Sequence, residues 1–446
     1  MKEKKDQEGL DVKRLINESK ESQKKKLSDR REMTFEEYLE LVKKDPLIAQ
    51  NSASRILEMV LDHGMKDISE SENFLGAEKS YNLFSQSLFG IDQAVEKVVD
   101  HFRVGAGNLS TGKQILLLVG PPGSGKSTFA TILKRTLERY ANRPVYAIKD
   151  CPIHEEPLHL LPRSESVREK ISQELGIKIE GDLCPVCRDN LQSNFKNDDK
   201  TYRWWDVPVE TFTFSVQGTR GIGSFEPSDE KTADVSQLVG KENIHITSTK
   251  GHDHPQAYSL SSGELGKANR GIFEGRELIK AAEEMLWVFI SVAEEKEMKV
   301  QGSKFPHIHI DTVIIGHTNL TEYKKFSGRQ ENEALHDRIY TVFFPYPLRV
   351  KDEVKIYEKL IHTENSFAKL KKCHIAPGSL ELAALFAILT RLTSSNIGGL
   401  DGILTKAKVY NGEAILAQIR SKDKAPIDIR TLLKDGQRDD DVSKRE

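Results

Sequence analysis

The chain has 446 residues, 37% hydrophobic and 30% charged, with a formal net charge of −2. That length fits two or three folding units with a sizeable core, and no window approaches the ~18 apolar residues of a membrane span. A near-neutral balance gives no electrostatic reason to expect nucleic acid or a membrane surface as partner, and four cysteines are too few for a disulfide framework, so a cytoplasmic enzyme is expected.

Residues 1–32 are mostly Lys, Glu, Asp, Ser and Gln and read as a charged tail without core-forming content. Thr34-Phe35-Glu36-Glu37 is a capping box that opens a helix with Phe35, Tyr38, Leu39 and Val42 along one side. A second helical pattern runs through Ile56, Val60 and Leu61 and stops at Gly64, giving a helical cap over 33–88. From about Phe89 strands and helices alternate. Ile115–Val119 is a fully apolar run suited to a strand buried on both faces. A glycine-rich loop follows, then a helix from Ser127 to about Tyr140, then strands at Val145–Ile148, Thr312–Ile315 and Val342–Phe344. These predict an α/β nucleotide-binding domain over 89–345 with a mostly parallel sheet. Between Cys151 and about Gly263 the regularity fails, which reads as a large insertion. Leu380, Leu382, Leu385, Ile388 and Leu392 then recur at near-helical spacing, predicting a helical lid over 346–434 before a charged tail at 435–446.

The loop itself is Gly120-Pro121-Pro122-Gly123-Ser124-Gly125-Lys126-Ser127, with Thr128 adjoining, and it satisfies G-x-x-x-x-G-K-[ST] between an apolar strand and a helix. The glycines let backbone N–H groups turn toward phosphates, and the helix N-terminus adds partial positive charge. Lys126 then reaches the β- and γ-phosphates of ATP, and the Ser127 hydroxyl is offered to Mg²⁺.

With this loop in place, four further segments carry a family likeness. They are Cys151-Pro-Ile-His-Glu-Glu-Pro-Leu-His-Leu160, Gly181-Asp-Leu-Cys-Pro-Val-Cys-Arg188, Lys267-Ala-Asn-Arg-Gly-Ile272 and Asn332-Glu-Ala-Leu-His-Asp-Arg-Ile339. From about Met33 to about Gly412 the chain resembles the PrkA family of serine protein kinases, whose N-terminal module is an AAA+ ATPase. The resemblance implies an AAA+ P-loop NTPase fold and places Arg276-Glu277 where related proteins carry the Asp-Glu pair of the Walker B strand. Glu277 is then the candidate base, and Glu274 a candidate to replace the missing carboxylate; the alternative is a surface glutamate. Asn319 matches the polar sensor, or is a turn-forming Asn after a strand. Arg338 resembles an arginine finger that acts on a neighbouring subunit, or forms a structural ion pair with an Asp. Arg391 is a weaker candidate for the second sensor, and Phe89-Gly90 is placed at the border of the adenine. An intersubunit finger implies a homo-oligomeric ring.

Cys151-x-x-His154 and Cys184-x-x-Cys187 supply two chelating pairs with the spacing of a structural zinc site, with His159 as a substitute ligand. A redox CxxC, or reduced cysteines beside a core histidine, are the competing readings. Trp204-Trp205 is either a stacking platform or core. Three functions follow: an ATPase, a protein kinase, or the unfoldase component of an ATP-dependent protease, with a non-hydrolysing nucleotide-binding scaffold as the plain alternative. No V-A-I-K, H-R-D or D-F-G set is present; the resemblance implies a C-terminal kinase-like region in the family, so a kinase output would reside in that region, in the ATPase core or in a separate partner chain. A protein substrate or a separate kinase-like partner belongs to the kinase and protease readings.

Overall fold

The computed structural model describes residues 32–68, 76–107, 110–140, 142–162, 165–227, 234–251, 254–300, 307–363, 374–392 and 403–411. The tails expected at 1–32 and 435–446 lie outside it, Glu32 excepted, and the expected lid is described only as far as residue 411. Contacts gather the chain into two compact units, one drawn from Met1–Gln50 and Ala141–Thr213, the other from Asn51–Tyr140 and Phe214–Glu446.

The second unit is built on a parallel sheet whose strands we number in chain order. They are β1 (Ile115–Val119), β2 (Ile222–Phe225), β3 (Ile272–Arg276), β4 (Val313–Thr318) and β5 (Ile339–Phe343). Their spatial order is β5-β1-β4-β3-β2, and every pairing is parallel. All five residues of β1 are buried, as its unbroken apolar run requires of a central strand. The register sets Val119 opposite Thr318 and Phe343, and His317 opposite Arg276, so the carboxyl ends of β1, β4 and β3 finish side by side. Parallel strands need crossovers, and the helices Lys126–Arg139 and Glu283–Glu295 supply two of them.

Strand β2 falls inside the segment that the sequence presents as irregular. It has four residues and contains Gly223, whose missing Cβ lets the Glu264 carbonyl approach; an added Cβ would stand 2.3 Å from that oxygen. So short a strand leaves no periodicity to read.

Val145–Ile148 is a strand, as expected, but it does not join the parallel sheet. It pairs antiparallel with Pro208–Phe212, which also pairs antiparallel with Glu32–Thr34, making a three-stranded sheet in the first unit. All four of its residues are buried, and a buried apolar run reads alike in either sheet; the partner strand, distant in sequence, decides. In this unit the capping box forms as read: the Thr34 N–H donates to Glu37 Oε2 at 2.9 Å, and the Glu37 N–H to Thr34 Oγ1 at 3.3 Å. It starts the helix Phe35–Lys44, whose Phe35, Tyr38 and Val42 are buried. Trp204 packs edge-on against Phe35 at 5.7 Å and is half-buried, whereas Trp205 beside it is exposed, so only part of the pair meets the core.

Beyond β5 the second unit is helical. Val350–Thr363, Ser379–Arg391 and Ile403–Tyr410 close around Leu348, Val350, Ala384, Ile388, Leu392, Ala407 and Tyr410. Leu382, counted with the inward pattern in the sequence, faces outward together with Phe386.

At the amino-terminal end of the sheet, Asp311 fastens the helix Ser52–Asp62. It accepts the Ser52 N–H at 2.7 Å and the Ser52 hydroxyl at 3.0 Å, and it faces Lys296 at 3.5 Å. Burial pushes this carboxyl up, but the charges of Lys296 and Arg270 outweigh it and hold its pKa at about 2. A folded value below the unfolded one of about 3.9 means stability that is present above pH ~4 and lost as pH falls toward the folded pKa. Asp311→Ala is therefore expected to cost about 3 kcal/mol at neutral pH in urea unfolding. The gap from wild type should narrow steadily as the pH is lowered from 5 toward 2.

Candidate functional site

The glycine-rich loop leaves β1 at its carboxyl end and turns directly into the helix Lys126–Arg139. Phe129, Ala130, Leu133 and Leu137 are the buried face of that helix and lock its axis against the sheet. Gly120 passes so close to the chain after β5 that an added Cβ would meet the Phe344 carbonyl at 2.2 Å. Gly123 (φ +77°) and Gly125 (φ +94°) hold left-handed conformations, and Gly125 caps the helix. No atom approaches within 4 Å of where a Cβ of Gly123 would stand, so the curl of the loop is open on that side. A helix N-terminus behind such a curl binds anions through its unpaired N–H groups.

Lys126 Nζ donates to the carbonyls of Gly120 (2.7 Å) and Pro121 (2.8 Å) and lies 3.3 Å from Ser124 Oγ. Burial draws its pKa down to about 8, and the charge of Glu277 works in the opposite direction. Ser127 and Thr128, in the first turn, are exposed. The other named loop residues, Pro121 and Pro122, shape the entry, and Tyr346 grips it by donating its hydroxyl to the Pro122 carbonyl at 2.8 Å.

Three sequence-predicted residues follow three adjacent strands: Lys126 after β1, Asn319 after β4 and Glu277 after β3. Glu277 has a left-handed backbone (φ +48°), with the Thr318 hydroxyl 3.5 Å from Oε2 and Lys280 at 3.3 Å. Asn319 caps the next helix, its side chain accepting the Glu322 N–H at 2.8 Å. The turn-forming role is thus present at the same residue that ends β4 beside the loop.

Glu274, the candidate to replace the carboxylate that the resemblance finds missing, is already engaged by other side chains. It is fully buried on β3, Oε2 taken by Lys134 of the loop helix and Oε1 by His317 of β4 at 3.1 Å. Burial opposes its ionisation, but hydrogen bonds from His317 and Lys134 overcome this and hold its pKa at about 2. Arg276, at the Asp position, lies between Glu226 (3.5 Å) and Glu274 (3.6 Å). Lys134 and His317 went unnoticed in the sequence; the one available signal is a lysine two helical turns after Lys126, on its face of the helix.

Gly90 (φ +71°) sits where an added Cβ would come 3.1 Å from Asp352 of the first lid helix, and its neighbours Leu88 and Ile91 pack on Gly125. The Phe89 ring lies 5.9 Å from the Lys355 ammonium. The turn 88–91 therefore lies between the phosphate loop and the lid. Arg391 closes the lid side: it makes two 2.9 Å bonds to the carboxylate of Glu353, and its guanidinium stacks 4.6 Å over Tyr346.

Arg338 is placed apart from these groups. It precedes β5, whose Ile339 pairs with Ile115, so it stands at the amino-terminal end of the sheet, roughly 15 Å from the loop after Val119 at strand rise. It faces Glu294 at 3.0 Å and donates to the Ala334 carbonyl at 2.7 Å; the expected Asp partner is replaced by a glutamate. From there it cannot serve the phosphate loop of its own chain.

In the first unit three of the four proposed metal ligands converge. Cys151, Cys184 and Cys187 are buried, with Cys151 Sγ 3.9 Å from Cys184 Sγ. The fourth group brought to them is Glu155; its ligand atom and the three sulfurs lie within 4.8 Å of one another. His154 is outside this group: its left-handed backbone (φ +49°) sets the ring 4.8 Å from that of Phe212. His159 lies behind Glu155, Nδ1 at 3.3 Å from Oε2. Burial pushes the Glu155 carboxyl up, and the hydrogen bond and charge of His159 outweigh it.

Among the described residues no helix is long and apolar enough to cross a membrane. Residues 33–398 match the PrkA AAA domain. The chain is 40% identical over 389 residues to the ATP-dependent protease PrkA of Bacillus subtilis (strain 168), covering 86% of this chain and 58% of that protein. It is 30% identical over 397 residues to the serine/threonine kinase YeaG of Escherichia coli (strain K12), with the same coverage of each. The chain therefore spans somewhat more than half the length of the curated relatives it matches. Among solved structures, the BchI–BchD complex of magnesium chelatase aligns with a TM-score of 0.36 at 16% identity, covering 69% of this chain and 74% of that one. With a parallel sheet, a phosphate loop at its central strand and a family model matched across most of its length, the chain belongs to the PrkA AAA domain family, an AAA+ P-loop NTPase fold.

Proposed function

We propose that this chain is an ATP-binding and ATP-hydrolysing AAA+ module. The observation that carries the reading is the convergence of Lys126, Glu277 and Asn319 at the carboxyl ends of three adjacent parallel strands. The loop amides and Lys126 hold the triphosphate; Glu277 takes a proton from the attacking water; Asn319 orients that water against the γ-phosphate. Ser127 offers its hydroxyl to Mg²⁺, which when bound spreads the charge of the phosphate oxygens. Arg276 puts a cation where a Walker B carboxylate would help hold that metal, so weak Mg²⁺ binding and slow turnover belong to the proposal.

Arg338 acts in trans. Its place at the far end of the sheet supports a guanidinium offered to the γ-phosphate of a neighbouring copy, hence a homo-oligomeric ring. The names of the relatives, an ATP-dependent protease and a serine/threonine kinase, point to different outputs; serine phosphorylation, unfolding or proteolysis would draw on protein substrates or on a separate kinase-like partner. Arg276 also favours a second reading, a nucleotide-binding scaffold without turnover. In the first unit we place one structural Zn²⁺ at Cys151, Cys184 and Cys187.

Lys126→Ala should weaken ATP binding by roughly 10- to 100-fold, read by calorimetry. Glu277→Gln should keep binding while phosphate release falls about 100-fold or more. Wild type that binds ATP but releases no phosphate with Mg²⁺ present would sink hydrolysis in favour of the scaffold.

Arg338→Ala should lower turnover about 1,000-fold with little change in ATP affinity. Mixing it with an Asn319→Ala chain should restore part of the activity, because each supplies what its neighbour lacks. No restoration at any mixing ratio would count against the trans assignment.

Metal analysis of purified protein should find about one zinc per chain. Its removal by a chelator should lower the melting temperature.

A further inference from the structure

Three sulfurs alone do not complete a tetrahedron, and the atoms around them identify the fourth donor. Resting on the proposal that this cluster holds zinc, we infer that the ligands are the thiolates of Cys151, Cys184 and Cys187 with one oxygen of Glu155. His159 holds the second oxygen, and His154 takes no part.

The distances carry the assignment. A tetrahedral zinc with Zn–S of about 2.3 Å and Zn–O of about 2.1 Å has S···S edges near 3.8 Å and S···O edges near 3.6 Å. Cys151 Sγ lies 3.9 Å from Cys184 Sγ and 3.6 Å from Glu155 Oε1. The same sulfur separation is nearly twice a disulfide bond of about 2.05 Å.

The two carboxylate oxygens are also differentiated. Oε2 accepts the Cys184 N–H at 2.9 Å and sits 3.3 Å from His159 Nδ1, both of which fix its direction. Oε1 faces the sulfurs. One oxygen is anchored and the other presented, the arrangement of a monodentate ligand with a supporting shell.

Charge must balance as well. Three thiolates and a carboxylate around a dication leave a net charge of −2, too costly in a buried place without donors. The donors are there. The Glu155 N–H points to Cys151 Sγ and the Cys187 N–H to Cys184 Sγ, each at 3.4 Å. Cys184 caps the ten-residue helix Pro185–Asn194, whose positive end adds to them. Sulfur-rich ligation of this kind selects zinc, cobalt or cadmium over magnesium or calcium. The ion would tie the turn Cys151–Glu155 to the start of that helix.

X-ray absorption at the zinc edge on the zinc-loaded full chain reads the ligand set without any substitution. Three sulfurs at about 2.3 Å and one oxygen at about 2.1 Å, without the outer-shell pattern of an imidazole, are expected. His154→Ala should keep its zinc, whereas Glu155→Gln and His159→Gln should each lose roughly 10- to 100-fold in affinity against a competing chelator. An imidazole pattern, or zinc lost in His154→Ala and kept in Glu155→Gln, would overturn the Glu155 assignment and leave the zinc reading intact. A folded wild-type chain that takes up neither zinc nor cobalt on titration would overturn both.

Discussion

A carboxylate shut off from water organises the second unit. Glu274 on β3 is fully buried, and a buried charge persists only when its partners are in place. Those partners are Lys134 on the loop helix and His317 on β4, so one anion ties together three of the elements that end at the phosphate loop. Losing Lys134 would remove the buried cation paired with this charge beneath the loop. The relative heights of the loop helix and the two strands are therefore specified by charge as well as by apolar packing. Lys126, Glu277 and Asn319 inherit their alignment from that constraint.

Much of this was legible in the sequence because the local signals are strong. An unbroken apolar run, a glycine-rich loop and a helix in succession can be built in few ways, and β1, the loop and its helix fall where the residues put them. The capping box at Thr34 is equally local. Long-range pairing was not legible. Val145–Ile148 has the composition of a core strand, and only its partner at Pro208–Phe212 assigns it to a separate antiparallel sheet. Strand β2 is too short, and too dependent on a glycine, to register against the irregular residues around it.

The site was read in the same uneven way. The glycine-rich loop, contiguous in sequence, is legible as a unit, while groups brought together from separate elements, such as Lys134 and His317, are not. Glu155 is the sharpest case: the Cys-x-x-His spacing draws the eye to His154, but a left-handed backbone there turns the ring to Phe212, and the next residue reaches the sulfurs instead. Spacing along a chain fixes which residues are near, not which way a strained turn points them. Glu274 shows the same limit, because sequence shows a carboxylate without showing the lysine it pairs with.

Tyr346 gives the lid a mechanical connection to the loop. Its hydroxyl holds the Pro122 carbonyl, its ring lies under Arg391, and Arg391 is clamped to Glu353. These contacts run from two lid helices to a peptide group of the glycine-rich loop. A tilt of the lid is thereby a pull on that peptide, transmitted over two contacts without passing through the core. The helices act as a lever whose short arm is one phenol, and the curvature of the loop and the angle of the lid become a single mechanical coordinate.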